Sequence, residues 1–190
     1  KHGINGELRQ KGKVAELALG YGGGANALIT MGALKQGLTE AELPDIVTRW
    51  RAKSPKIIEF WNACDTAAKN AIIYGKTVAL PNGISFEKTK GALLIHLISG
   101  RDLTYLFPKI GTNRFGGESI EYKGMAQTAG VFTTLETYGG KLVENIVQAV
   151  ARDCLGAAMM RLHEAGYQVV GHVHDEVIID APSKDPDATL

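Results

Sequence analysis

Tyr74-Gly-Lys-Thr77-Val-Ala-Leu80-Pro-Asn-Gly83-Ile84-Ser-Phe-Glu87 is where the chain changes its hydrophobic period. Before it, apolar residues recur at three- and four-residue spacings; within it they alternate on either side of a Pro-Asn-Gly turn. The first pattern predicts amphipathic helix and the second a β-hairpin, because side chains repeat every 3.6 residues around a helix and every two along a strand. The fold class expected from this switch is α+β, with helices first and antiparallel strands after.

Upstream of the switch, Leu8, Val14, Ala15, Leu17, Ala18 and Leu19 predict a helix from Glu7 to Leu19, followed by flexible Tyr21-Gly-Gly-Gly24 and a short helix to about Gly32. Thr39-Glu-Ala-Glu42 reads as a capping box opening a helix through Trp50, with Thr39 accepting from the backbone and Glu42 reaching back. Ser54-Pro55 opens the next, since proline at the first helical position loses nothing by lacking a donor. Ile57, Ile58, Trp61, Ala68 and Ile72 predict its buried stripe, ending at Gly75.

Downstream, strands are expected at Leu93 to Ile98, Leu103 to Phe107 and Ile120 to Lys123, with a glycine-rich loop from Gly111 to Gly117. Lys141 to Ala165 returns to helical spacing, with Leu142, Ile146, Val150, Cys154, Ala157, Ala158 and Leu162 on one face and Gly166 as its cap. Tyr167 to Asp180 is rich in Val and Ile on both sides of His174-Asp175-Glu176, which predicts a hairpin with the acidic pair at its bend. Three regions result: 1–75 helical, 76–135 a β-rich insertion, and 136–190 a helix with a hairpin.

Composition narrows the function classes. The 190 residues carry 21 Lys plus Arg against 20 Asp plus Glu, with 45% hydrophobic and 22% charged residues, which is ordinary globular usage and excludes a disordered or supercharged chain. Cys64 and Cys154 have no ligand-like spacing and read as reduced thiols. No secretory signal or membrane span is evident, so a cytoplasmic protein is expected, with no membrane partner. The chain starts at Lys1 in a helical pattern and stops soon after a strong strand, and is read as a piece of something larger.

Two constellations can carry chemistry. Arg9, Lys13, Leu17 and Tyr21 are spaced by four along one side of the first helix. A guanidinium and an ammonium one turn apart suit a polyphosphate laid along that side, the first through paired hydrogen bonds and the second as a point charge. A solvated helix end is the alternative. Gly20 to Ala25 superficially resembles a dinucleotide-binding loop, but it follows a helix where that loop must follow a strand. In His172-Val-His174-Asp175-Glu176 the adjacent carboxylates suit a hard cation such as Mg²⁺, with acids merely facing water as the alternative. Zinc through His172 and His174, placed on one face by strand alternation, is a poorer reading because no further ligand is evident.

Arg9-x₃-Lys13-x₇-Tyr21-Gly22 and His174-Asp175-Glu176 resemble motifs B and C of the family A, polymerase I-like DNA polymerases, in particular phage-type members. Between them, Tyr138-Gly-Gly-Lys to Gln148-Ala-Val-Ala-Arg-Asp153 resembles the palm helix that precedes motif C. The resemblance spans nearly the whole chain and implies fingers at 1–75 and part of a palm at 136–190. It implies that Arg9 and Lys13 bind the triphosphate of an incoming deoxynucleotide, with Leu17 at the position usually held by an aromatic, and that Tyr21 and Gly22 pack near the templating base. Gln148 would reach the minor groove of a primer-template duplex and His174 the primer end. Asp175 would be a ligand of Mg²⁺, with Glu176 a neighbouring catalytic acid. Glu144 stands where many bacterial members have Asn, so that duplex contact is not carried over. Motif A has no counterpart before Arg9, so the resemblance implies template-directed polymerisation completed by a missing upstream palm and thumb segment or chain, in a bacterial or phage-infected host cell. A noncatalytic nucleotide- or DNA-binding fragment, or one half of a split polymerase, are the other readings.

Overall fold

The structure, a computed structural model, describes residues 5–113, 116–126 and 130–182. Arg114 and Phe115 of the glycine-rich loop, and the run from Ser183, lie outside the described residues. The helices are α1 (Gly6–Leu19), α2 (Ala25–Thr30), α3 (Leu43–Lys53), α4 (Pro55–Tyr74) and α5 (Gly139–Glu164). The strands are β1 (Val78–Ala79), β2 (Ser85–Lys88), β3 (Ala92–His96), β4 (Asp102–Thr112), β5 (Glu118–Ala126), β6 (Val131–Thr137), β7 (Gln168–Val173) and β8 (Glu176–Asp180). By packing, the chain divides into two compact units, Lys1–Ile146 and Val147–Leu190.

In the first unit, β1 to β6 form one antiparallel meander in sequence order. The expected Pro-Asn-Gly hairpin is present: Leu80 N–H donates to the Ile84 carbonyl at 2.8 Å, and Val78 pairs with Phe86. Alternation along the strands decides the core. Phe86, Leu93, Ile95 and Tyr105 share one face and are buried, and α4 packs across β1 and β2 on small residues. The helical stripe that does this is Trp61, Cys64, Ala67, Ala68 and Ala71; of the expected set Trp61 and Ala68 belong to it, whereas Ile57 is exposed and Ile58 and Ile72 are only half-buried. Bulky Ile residues at α4's ends give way to Ala and Cys at its middle, where a flat sheet can approach closely.

Two further expectations change. Thr39 and Glu42 do meet, but Glu42 accepts from both Thr39 N–H (2.8 Å) and Thr39 Oγ1 (2.7 Å), and α3 starts only at Leu43. The pair therefore closes a turn ahead of the helix, and Thr39 does not cap its amides. Val131 to Thr137, not anticipated as a strand, is β6; seven consecutive pairs with β5 hold it, from Ile120↔Thr137 to Ala126↔Val131.

The second unit contains α5 from Val147 onward and the β7–β8 hairpin. The hairpin has its acidic bend as expected, with His174 and Asp175 forming the turn. Of the apolar stripe expected on α5, Leu142 and Ile146 are buried but Cys154 and Ala157 are exposed. The buried part of the stripe, Leu142 and Ile146, lies inside the first unit.

Candidate nucleotide and nucleic-acid site

The basic side of α1 is built by its inner side. Val14, Ala18 and Leu19 are buried, which leaves Arg9, Lys13 and Leu17 exposed on the opposite side, Leu17 at 46%. Lys11 is engaged by Glu7 at 3.0 Å, whereas Arg9 and Lys13 make no ion pair among the described residues. Among the described residues these two cations, one turn apart, therefore face solvent without an ion pair.

Past α1 the chain turns at Tyr21-Gly22. Gly22 has φ +85°, a left-handed conformation that side-chain-bearing residues rarely adopt, and a Cβ there would also stand 3.2 Å from the Tyr138 ring. The start of α5 closes on this turn without room for side chains: a Cβ on Gly140 would lie 2.3 Å from the Tyr21 carbonyl oxygen, and one on Gly139 2.1 Å from that of Trp61. Gly139 N–H donates to Asp65 Oδ1 at 3.0 Å, so an acidic side chain of α4 satisfies one of the free amides at the α5 N-terminus. Asp65 is itself paired with Lys69 at 2.7 Å.

These contacts frame a cavity of about 340 Å³ lined by Gly22, Arg51, Trp61, Asp65, Tyr138 and the Gly139-Gly140 backbone, among others. Trp61 stacks on Trp50 with ring centroids 5.9 Å apart, and its buried Nε1 has no acceptor among the described residues. Arg51 Nη2 donates to the Gly23 carbonyl at 3.3 Å, tying α3 to the turn. Burial, then the nearby Glu144 carboxylate, pushes the Tyr138 hydroxyl above its usual pKa. From sequence Trp61 is read only as a core residue of its helix, and Asp65 is not singled out. The doubled glycine after Tyr138 is the signal that could have found the place.

In the second unit, His174 occupies the hairpin turn with φ +52°, and Asp175 follows it, both exposed. Glu176 opens β8 opposite Val173. His174 therefore lies outside the strand that carries His172, and the zinc reading based on strand alternation fails on geometry. Gln148 is exposed on α5. Arg9, Lys13, Leu17, Tyr21 and Gly22 thus belong to the first unit, and Gln148, His174, Asp175 and Glu176 to the second. Among the described residues no group of three or more His, Cys, Asp or Glu could hold a metal ion. No helix among them is long and apolar enough to cross a membrane.

No protein-family model matches the chain, and no solved structure matches it. It is similar to a protein named DNA polymerase from Bacillus phage SP02, with 53% identity over 176 residues that make up 92% of this chain and 27% of that protein, so the chain spans about a quarter of the length of its relative.

Proposed function

We propose that the chain is the fingers and part of the palm of a template-directed DNA polymerase of the polymerase I-like family, which transfers deoxynucleotides to a primer 3′ end. The observation that carries this reading is the 53% identity to a phage protein named DNA polymerase, sustained over 92% of the chain. The unpaired Arg9 and Lys13 on the open side of α1 and the exposed Asp175 at a hairpin bend support it.

On this reading Arg9 and Lys13 neutralise the triphosphate of the incoming nucleotide, and Leu17 lies one turn further along the same side. Tyr21 and Gly22 lie beside the templating base, and Gly22 also lines the cavity. Gln148 and His174 contact the primer-template duplex. Asp175 is a magnesium ligand and Glu176 a neighbouring acid. The donors fit magnesium in kind, being hard carboxylate oxygens, but they are too few for a two-ion site, so a further acid from outside these residues completes the set. Bound Mg²⁺ would stabilise the attacking and leaving oxygens of the transferred phosphoryl group. The cytoplasm of an infected bacterium is the place of action.

The test uses the complete polymerase containing this chain. Asp175→Asn is expected to abolish single-turnover incorporation while leaving primer-template affinity in place, because it weakens metal coordination without removing duplex-binding surface. Near-normal incorporation would refute the metal assignment. Lys13→Ala is expected to cost roughly 1.5 to 3 kcal/mol at the nucleotide-binding step, the worth of one charge-assisted contact. A fall in duplex affinity with nucleotide affinity unchanged would instead turn α1 towards the DNA backbone. Nucleotide binding that Lys13→Ala weakens, with no incorporation by the complete protein, would favour a noncatalytic binding module.

A further inference from the structure

The β7–β8 hairpin contains an irregularity that changes which way a histidine faces. Val169 pairs with Ile179, but Gly171 pairs with Ile178, so Val170 is an extra residue, a β-bulge. Directly paired residues lie on the same side of a sheet, and alternate residues along a strand share a side. A regular β7 would put Val169, Gly171 and Val173 together and His172 on the other side. The bulge reverses this phase: His172, paired with Val177, joins Val169, Val177 and Ile179. Those three and Gly171 are the half-covered residues of the hairpin, whereas Gln168, Val170, Val173, Glu176, Ile178 and Asp180 are exposed, and so are His172 and Arg152.

What His172 meets on that side is Arg152 of α5. Arg152 Nη1 and Nη2 each stand 3.2 Å from His172 Nε2, with Nη1 3.5 Å from Nδ1. A guanidinium can only donate, so an unprotonated ring nitrogen accepts. Arg152 lies one helical turn past Gln148, and His172 lies two residues before the His174-Asp175 turn. The contact therefore joins the helix turn bearing one proposed duplex residue to the strand that leads into the proposed metal ligand.

We propose that Arg152 and His172 form a clasp of positioning residues that holds the His174-Asp175 turn in register with the Gln148 turn of α5. The clasp rests on the polymerase reading above, which supplies the roles of Gln148 and Asp175. A two-stranded hairpin is marginal by itself, and the turn residue His174 is held in a sparsely populated conformation, so an external tie is what keeps such a bend in one place.

The experiment is a double-mutant cycle in the complete polymerase containing this chain, with Arg152→Ala, His172→Leu and the pair, and His172→Gln as the conservative variant whose amide oxygen can still accept. Three readouts are taken: single-turnover incorporation with its nucleotide dependence, primer-template affinity, and metal-free hydrogen exchange of the amides of residues 168–180. Arg152→Ala and His172→Leu are each expected to slow incorporation roughly tenfold to a hundredfold, as losses of orienting partners do. Duplex and nucleotide affinities should stay within about twofold, and hairpin exchange should speed up. The double mutant should be no slower than the worse single mutant, because Arg152→Ala and His172→Leu break the same contact, and His172→Gln should stay near wild type because its amide oxygen keeps that contact. Multiplying losses, or a fall in duplex affinity on Arg152→Ala that His172→Leu does not share, would overturn the clasp and make Arg152 a direct DNA contact. Unchanged incorporation and exchange in both single mutants would overturn it as well. Absence of incorporation by the unmutated polymerase would refute the polymerase reading, while the exchange measurements would still decide whether the contact holds the hairpin.

Discussion

The two compact units differ in what they bury. In the first, Phe86, Leu93, Ile95 and Ile120 are fully buried, and the sheet carries a helix on the face they share. In the second, Ala149 alone among the described apolar residues is buried, while Val147, Met160, Val170, Val173 and Ile178 are each about half exposed. Their sequences are comparably apolar, so the difference lies in layers rather than composition. A six-stranded meander with a helix against it can exclude water from one face; a helix and a two-stranded hairpin cannot. The unit with the cavity has its own core, and among the described residues the unit bearing His174, Asp175 and Glu176 buries only Ala149.

Substitutions of similar chemistry should separate the units most. Phe86→Ala removes a ring with no exposed surface and is expected to cost about 3 to 5 kcal/mol in urea unfolding followed by tryptophan fluorescence, since both Trp50 and Trp61 report on the first unit. Ile178→Ala, at a residue 48% exposed, should change stability by no more than about 0.5 kcal/mol. Equal losses would mean that the hairpin has a core of its own.

Gly140→Ala sharpens the comparison at the junction of α5 with the turn after α1. Its new Cβ would stand 2.3 Å from the Tyr21 carbonyl oxygen and 3.0 Å from the Tyr138 ring, and backbone cannot yield as a flexible side chain can. A loss of about 1 to 3 kcal/mol is expected, the usual cost of overpacking. Gly156→Ala, on the same helix with open space around the new methyl group, should be neutral or stabilising by up to about 1 kcal/mol, which differential scanning calorimetry would read. A neutral Gly140→Ala would show that the Tyr138-Gly139-Gly140 approach is loose.

What could be read beforehand divides along the same line. The period switch after Gly75, the Pro-Asn-Gly hairpin and the bend at His174-Asp175 were legible because each is set by residues adjacent in sequence. The extent of burial along α5 was not, because Leu142, Ile146, Val150 and Cys154 repeat with one spacing whether or not a sheet lies opposite. β6 was missed since Val131-Phe-Thr-Thr-Leu-Glu-Thr137 gains its pairing from β5 and alternates weakly by itself. The cation side of α1 was visible from the spacing of Arg9 and Lys13. The cavity walls were not: Trp61, Asp65 and Tyr138 come together only through contacts between distant segments. The Val170 bulge also escaped notice, and with it the reversal that puts His172 beside Arg152.

The smallest expected effect lies on the sheet face opposite the core. His96 Nδ1 is 2.7 Å from Asp102 Oδ1 and its Nε2 3.0 Å from Glu87 Oε2, so one ring spans β2, β3 and β4. The Asp102 hydrogen bond, and after it the Glu87 contact, hold the His96 pKa above 6.5 against the opposite pull of burial. A raised folded-state pKa means that the folded chain binds the proton more tightly than the unfolded chain. The added stability is therefore fully present below about pH 6.5 and is lost as pH rises through the folded-state value. With the ring about one-third exposed, solvent screening keeps the contribution to a few tenths of a kcal/mol up to about 1 kcal/mol. Urea midpoints of the first unit measured between pH 5.5 and 8.5 should fall across that window, and His96→Gln should flatten the fall while leaving the hairpin of the second unit unaffected. An undiminished slope in His96→Gln would assign the pH dependence to other groups and leave the two carboxylates as solvated surface acids.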